Sequence, residues 1–299
     1  MSPLSRRSSS STDEKDPDGP SDAPPPGLPP PAYPAYPHDK PPSSSQETDH
    51  LTFQPQPAAP QAGFGTRSPS QRSVYAALLL CSWDKIRIVG FPSSIIAPVD
   101  AAIKRSWSRG VQQQKAYDQV SWEWKLCGKP WFGQGSEAVP SRQLIACVLH
   151  ALLENGWRLT LSTDLCQKST GKDTLIFKSV PPVQRTIFPI SFNDSDKIRL
   201  IDSPHDGVKQ AFDTAIRGAW PLGIQDAKDK EDGAYQIKLK GNPWWTFSGE
   251  QMNHSRLLAC SLLSAMEAQG FELLGSVDMS TARAEERSEL DTWVFISKT

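Results

Sequence analysis

The sequence predicts an α+β protein of two tandem homologous domains behind a disordered Pro/Ser-rich N-terminal arm. Three observations carry that reading. Segments in residues 85–177 return in the same order 112 to 118 positions later. Strand and helix periodicities recur in step in both copies. Composition also changes sharply near residue 70: of 27 prolines in 299 residues, 17 precede residue 71, whereas all ten Trp and all five Cys follow it. A stretch so poor in large apolar groups cannot offset its ordering entropy. The predicted organisation is an arm over 1–70, a first repeat over 74–180 and a second over 187–299.

Within each repeat the elements follow one another in a fixed order. Lys85-Ile86-Arg87-Ile88 returns as Lys197-Ile198-Arg199-Leu200, and its apolar, β-branched character predicts a strand. A helix follows, with Pro98 in its first turn and Val99, Ala102, Ile103 and Trp107 on one face. Next comes a period-two strand in which Trp122, Trp124 and Leu126 alternate with Glu123, Lys125 and Cys127; Tyr235, Ile237 and Leu239 repeat the pattern. Leu144, Ile145, Val148, Leu149 and Leu152 keep helical spacing, as do Leu258, Leu262, Leu263 and Met266, with Gly156 and Gly270 placed to end each helix. Short strands are predicted at 159–162 and 174–177, then at 273–276 and 292–296. The result is β-α-β-α-β-β per repeat, helices on a small sheet. Apolar residues at 78–83 and 187–192 suggest one more strand entering each domain.

The degenerate pair Trp124-Lys125-Leu126-Cys127-Gly128-Lys129-Pro130-Trp131 and Ile237-Lys238-Leu239-Lys240-Gly241-Asn242-Pro243-Trp244 is followed by Ser141-Arg142 and Ser255-Arg256, then by Asp173-Thr174 and Asp291-Thr292. This pattern resembles a mainly fungal family of two-repeat proteins with W-x-K-L-x-G-x-P-W-like motifs and no established activity. The resemblance spans residues 85–299. It implies the repeat architecture and no catalytic residues.

Several classes of function fall away. The arm carries a net charge of −3 and the remainder +2, so no excess of one sign suggests nucleic acid as a partner. The longest apolar run, residues 74–81, is too short for a membrane-spanning helix. The N-terminus lacks an apolar signal core, which points to a cytoplasmic or nuclear protein. Five cysteines without C-x-x-C spacing read as reduced thiols, with Cys147 and Cys260 in the core and His150 a structural histidine on the second helix. No metal site, cofactor or catalytic constellation is expected. The loop 128–135 is only superficially like a phosphate loop, since it lacks the closing Gly-Lys-Ser/Thr.

What the repeats share is polar. Lys125 and Lys238, Arg142 and Arg256, Asp164 and Asp278, and Asp173 and Asp291 are paired by the repeat. An arginine in the first turn of a helix opposes the helix dipole. It is therefore either fixed by a carboxylate, with Asp164 and Asp278 the candidates, or it presents a cationic surface. In the second case Lys125, Trp131 and Arg142, with Lys238, Trp244 and Arg256, suit an anionic ligand with aromatic packing. Trp131, Trp244 and Trp245 sit in turns and are candidate exposed anchors, while Trp107, Trp122, Trp124 and Trp293 read as core.

The arm adds a polyproline stretch over 24–37, in which Pro30, Pro31 and Tyr33 make a P-P-x-Y motif that resembles ligands of WW domains. The expectation is thus a non-enzymatic adaptor whose arm recruits WW- or SH3-domain proteins. The alternative is an enzyme or small anionic-ligand-binding protein using the Lys/Trp/Arg surface. Limited proteolysis of the full chain is expected to trim the arm and leave a resistant fragment beginning near residue 71. Rapid digestion throughout the body would contradict this division.

Overall fold

The computed structural model describes residues 73–132, 135–165, 172–279 and 291–299. The arm, with Pro30, Pro31 and Tyr33, and Cys166 lie outside the described residues. The first repeat runs β1 (Tyr75–Cys81), β2 (Lys85–Val89), α1 (Ile96–Ser106), β3 (Val111–Ala116), β4 (Ser121–Leu126), α2 (Ala138–Glu154), β5 (Trp157–Thr163) and β6 (Thr174–Ser179). The second runs β7 (Ile187–Asn193), β8 (Lys197–Ile201), α3 (Asp206–Ala219), β9 (Ile224–Asp229), β10 (Ala234–Leu239), α4 (Gly249–Ala268), β11 (Phe271–Val277) and β12 (Thr292–Ser297). No helix among the described residues is long and apolar enough to cross a membrane.

Each repeat forms a six-stranded antiparallel sheet, ordered β3-β4-β2-β1-β6-β5 and, equivalently, β9-β10-β8-β7-β12-β11. The α+β class and the two similar domains follow from the sequence, but each repeat has two more strands than the β-α-β-α-β-β string. The suspected entry strand is real: β1 and β7 lie inside their sheets. Strands β3 and β9 are additions the pattern did not show. Both are edges bonded only to β4 or β10, and polar residues such as Gln112, Gln113 and Gln114 face solvent there, a composition suited to an edge.

The core of the first repeat lies between its helices and Ala76, Leu78, Leu80, Ile86, Ile88 and Trp124 of the sheet. That of the second gathers Phe188, Ile190, Phe192, Ile198 and Leu200 under Phe212, Ile216, Leu258 and Leu262. At the end of α2, Gly156 takes φ +81°, and a Cβ there would come within 2.7 Å of the Val180 carbonyl oxygen. Only glycine fits that helix end.

The two repeats do not pack as mirror partners. Helix α2 covers its own sheet with one face and lies with the other on the back of the second sheet, against β7 and β8. Twelve of its 17 residues are buried, against four of 20 in α4. Val139 joins Ile201 and Ala234, while Val277, Met279 and Val294 continue the first repeat's core. Consequently β1 alternates between buried and part-exposed residues, whereas six of the seven residues in β7 are buried. The edge strands β5 and β11 also meet: Arg158 Nη2 lies 2.8 Å from Glu272 Oε1, and a Cβ on Gly275 would come within 2.7 Å of Leu159 Cδ2.

Polar groups fix this junction. Arg142, 1% exposed, donates from Nε to Thr292 Oγ1 at 3.3 Å and from Nη1 to the Ala138 carbonyl at 2.9 Å. Gln143 Nε2 donates to Asp202 Oδ1 at 2.9 Å and to the Asp232 carbonyl at 3.1 Å. Asp173 Oδ2 accepts from Ser162 Oγ at 2.7 Å and from the Asp278 backbone N–H at 3.0 Å. Arg142→Ala is expected to lower unfolding free energy by roughly 1–3 kcal/mol, because it removes a charged donor from buried hydrogen bonds. Arg256→Ala, at an exposed position, should stay within about 0.5 kcal/mol of wild type. Urea unfolding of the two variants measures the difference, and equal effects would contradict this account.

Candidate functional site

The two Pro-Trp loops bring their tryptophans inward. Trp131, in a 3-10 turn at Pro130–Phe132, is fully buried and donates from Nε1 to the Lys85 carbonyl at 2.8 Å. Trp244 repeats the bond to the Lys197 carbonyl at 3.4 Å and is half-buried. Each ring pins its loop to the turn between the first two strands of its repeat. Of the three turn tryptophans, only Trp245 is exposed.

The lysines lie elsewhere. Lys125 and Lys238 alternate with core residues and so occupy the back of their sheets, away from the tryptophan and arginine of the same repeat. Lys238 Nζ lies 3.7 Å from Asp196 Oδ2. The predicted Lys125–Trp131–Arg142 surface therefore does not converge, nor does Lys238 join Trp244 and Arg256. The reason is the strand's period of two, which sends adjacent motif positions to opposite faces.

The back of the first sheet instead carries a charge cluster. Glu123 is nearly buried and accepts from Arg87 Nε at 3.0 Å, with Lys85 Nζ at 3.3 Å from its other oxygen. The Arg87 guanidinium stacks 3.4 Å above the Tyr117 ring. Burial alone would raise the Glu123 carboxyl, but hydrogen bonds from Arg87 and Lys85 outweigh it and hold the group below its ordinary 4.5. A depressed carboxyl stabilises the fold above its unfolded pKa, and that contribution is lost as pH falls through the folded value. Glu123→Gln should therefore cost about 1 kcal/mol at neutral pH. The deficit should shrink below pH ~4, measured by denaturant melts across that range; a constant deficit would refute the linkage.

The second repeat does unite two of the predicted residues. Trp244 and Arg256 line a pocket of about 260 Å³ with Phe192, Trp293, Ala259 and Asp291. Phe192 sits edge-on to both Trp244 and Trp293, at 5.1 and 4.9 Å between ring centroids. The Asp291 carboxylate accepts from Ser276 Oγ at 2.8 Å, and Arg256 Nη1 donates to Ser255 Oγ at 2.8 Å. At the equivalent positions of the first repeat, Leu80, Trp131, Ile145 and Leu175 are all buried, as is Arg142. Ile145 stands where the second repeat has Ala259, so the first copy is packed solid. Phe192, Ala259 and Trp293 were not singled out from sequence as site residues. The repeat alignment holds the one signal, a small residue opposite a large one.

A second concavity, about 580 Å³, opens between α2 and the second sheet, lined by Cys147, His150, Glu154, Arg185 and Asp202 among others. His150 Nδ1 lies 3.3 Å from Glu154 Oε2. Burial pushes the Asp202 carboxyl up, against the hydrogen bond from Gln143. Near the same junction, burial lowers the Lys172 ammonium to about 8, opposed by Cys81, Asp278 and Asp84. Cys147 thus borders a cleft, and Cys260, expected in the core, is exposed because no described residue covers that face of α4.

One family model matches the chain twice, over residues 74–178 and 186–296. The chain belongs to that family. The double match coincides with the two sheets, so the family's unit is the six-stranded domain with its two helices. No curated protein matches the sequence. A solved structure, of a conserved kinetoplastid-specific protein from Trypanosoma cruzi, is similar over 37% of this chain and 92% of its own, at 13% identity and a TM-score of 0.26. That degree of likeness carries no argument about function.

Proposed function

We propose that this family member is a non-enzymatic binding protein, an adaptor whose second repeat holds a peptide group and whose arm recruits a further partner. One observation carries the reading: a pocket opens in the second repeat at the positions where the first is packed solid. Its walls are aromatic, and Arg256 and Asp291 place one cation and one anion at them. Such a site suits an apolar side chain or aromatic ring next to a carboxylate. Exposed Trp245 and Phe247, the latter 92% exposed, lie within three residues of Trp244 and extend the aromatic character of the loop.

The test uses the full chain on an array of peptides with free C-terminal carboxylates. Ala259→Ile, which restores the residue found in the first repeat, should abolish binding by filling the pocket. Arg256→Gln should weaken it most for the carboxylate-bearing peptides. Unchanged binding in both variants would overturn the pocket's role. For the arm, a peptide of residues 20–40 is expected to bind a WW domain weakly and to lose binding with Tyr33→Ala but not Tyr36→Ala. Equal loss would mean generic proline contact.

The cleft beside α2 favours the other reading, a small-ligand protein or enzyme. Its support is the shared lining from both repeats and the raised Asp202 carboxyl. A ligand whose thermal stabilisation disappears in Asp202→Asn but survives in Arg256→Gln would place binding there.

A further inference from the structure

The packing between repeats is head to tail. The outward face of α2 lies on the back of the second sheet, while α4, its equivalent, makes its main contacts with α3 and β11 of its own repeat. A contact of this kind is heterologous: it uses two different surfaces and leaves one unused copy of each. Among the described residues, the unused copies are the outward face of α4 and the back of the first sheet.

Both show the character of a half-interface. On α4, Arg256 occupies the position of Arg142, Leu257 that of Gln143 and Cys260 that of Ala146. All three are exposed, Leu257 by 60%, and Met252 one turn earlier is exposed as well. On the first sheet, Leu79, Val89, Thr174 and Ile176 occupy the positions of Ser191, Ile201, Thr292 and Val294. Those four second-repeat residues are buried beneath the junction, whereas their first-repeat counterparts are partly exposed, and Tyr75 at the same face is 52% exposed. The polar link Gln143–Asp202 has Leu257 and Gly90 as its equivalents, so a bond made inside the chain becomes an apolar contact between the two free surfaces.

We propose that a second copy of this chain docks here, the outward face of α4 from one copy lying on the back of the first sheet of the next. The contact repeats the α2 junction, with Leu257 over Val89 and Gly90 and Arg256 reaching Thr174 as Arg142 reaches Thr292. The occupant follows from continuity with that junction: each of these surfaces corresponds, position by position, to one side of a contact the chain already makes with itself. A two-repeat chain then behaves as a short segment of a repeat array, able to grow at both ends.

Sedimentation of the full-length protein over a micromolar concentration series tests this. Wild type should rise from the mass of one copy to that of two or more. Leu257→Asp, which does not touch the aromatic pocket, and Leu79→Lys should each remain at one copy. An equimolar mixture of the two should form a two-copy species and stop there, because one intact helix face meets one intact sheet face and the remaining faces are both defective. Circular dichroism melts establish folding. Should Leu79→Lys fail to fold, Tyr75→Lys at the exposed end of the same face takes its place. Wild type at one-copy mass throughout, a Leu257→Asp variant that assembles like wild type, or a mixture without the two-copy species would each overturn the proposal.

Discussion

The structure depends on the burial of α2 between two sheets. A helix that covers one sheet needs a single apolar stripe, but α2 is covered on both sides and keeps Ala138, Val139, Ala146 and Leu153 buried as well as its inner leucines. The second sheet is altered in turn. Strand β7 gives up the alternation seen in β1 and buries Pro189, Ser191 and Asn193 on the side facing away from its own helices. A cation placed in that layer must bring its hydrogen bonds with it, which Arg142 does by spanning from its own helix turn to Thr292. The relative placement of the repeats thus rests on a continuous core crossed by the hydrogen bonds of Arg142, Gln143 and Asp173.

That asymmetry puts equivalent residues of one fold in different surroundings. The repeats agree in strand order, in helix placement and in the tryptophan that ties the Pro-Trp loop to the first strand turn. They differ where their surroundings differ. Arg142 is a buried strut and Arg256 an exposed pocket residue. Ile145 fills a space that Ala259 leaves open. Glu123 and Gln236 occupy the same place, each accepting from the arginine opposite, yet only Glu123 adds a charge that titrates. The first repeat is packed on both sides of its second helix, whereas the second helix of the other repeat buries only the side toward its own sheet.

Much of this was legible in the sequence. Ordered matches at a nearly constant offset gave two domains, because two copies that fold alike must keep their strand turns, helix faces and glycine helix ends in register. The helical spacing of Leu144 to Leu152 and of Leu258 to Met266 showed both long helices, and the alternation around Trp124 and Ile237 showed the strands β4 and β10 beside each sheet's edge. Strands β3 and β9 were not legible, since an edge strand is held by backbone hydrogen bonds and leaves little pattern in its side chains.

The candidate site divides the same way. Its residue types, an arginine and a tryptophan repeated at fixed spacing, could be read from the chain. Their convergence could not: the motif's lysines go to the opposite sheet face, Trp131 goes inward, and only Trp244 and Arg256 meet. By itself the sequence determined the order of the helices and core-facing strands of each repeat, because helix and strand periodicities are local and record the first layer that packs on an element. Tertiary structure alone decided which of two equivalent residues is buried, since that depends on whether a second layer, contributed by the other repeat, covers the other face.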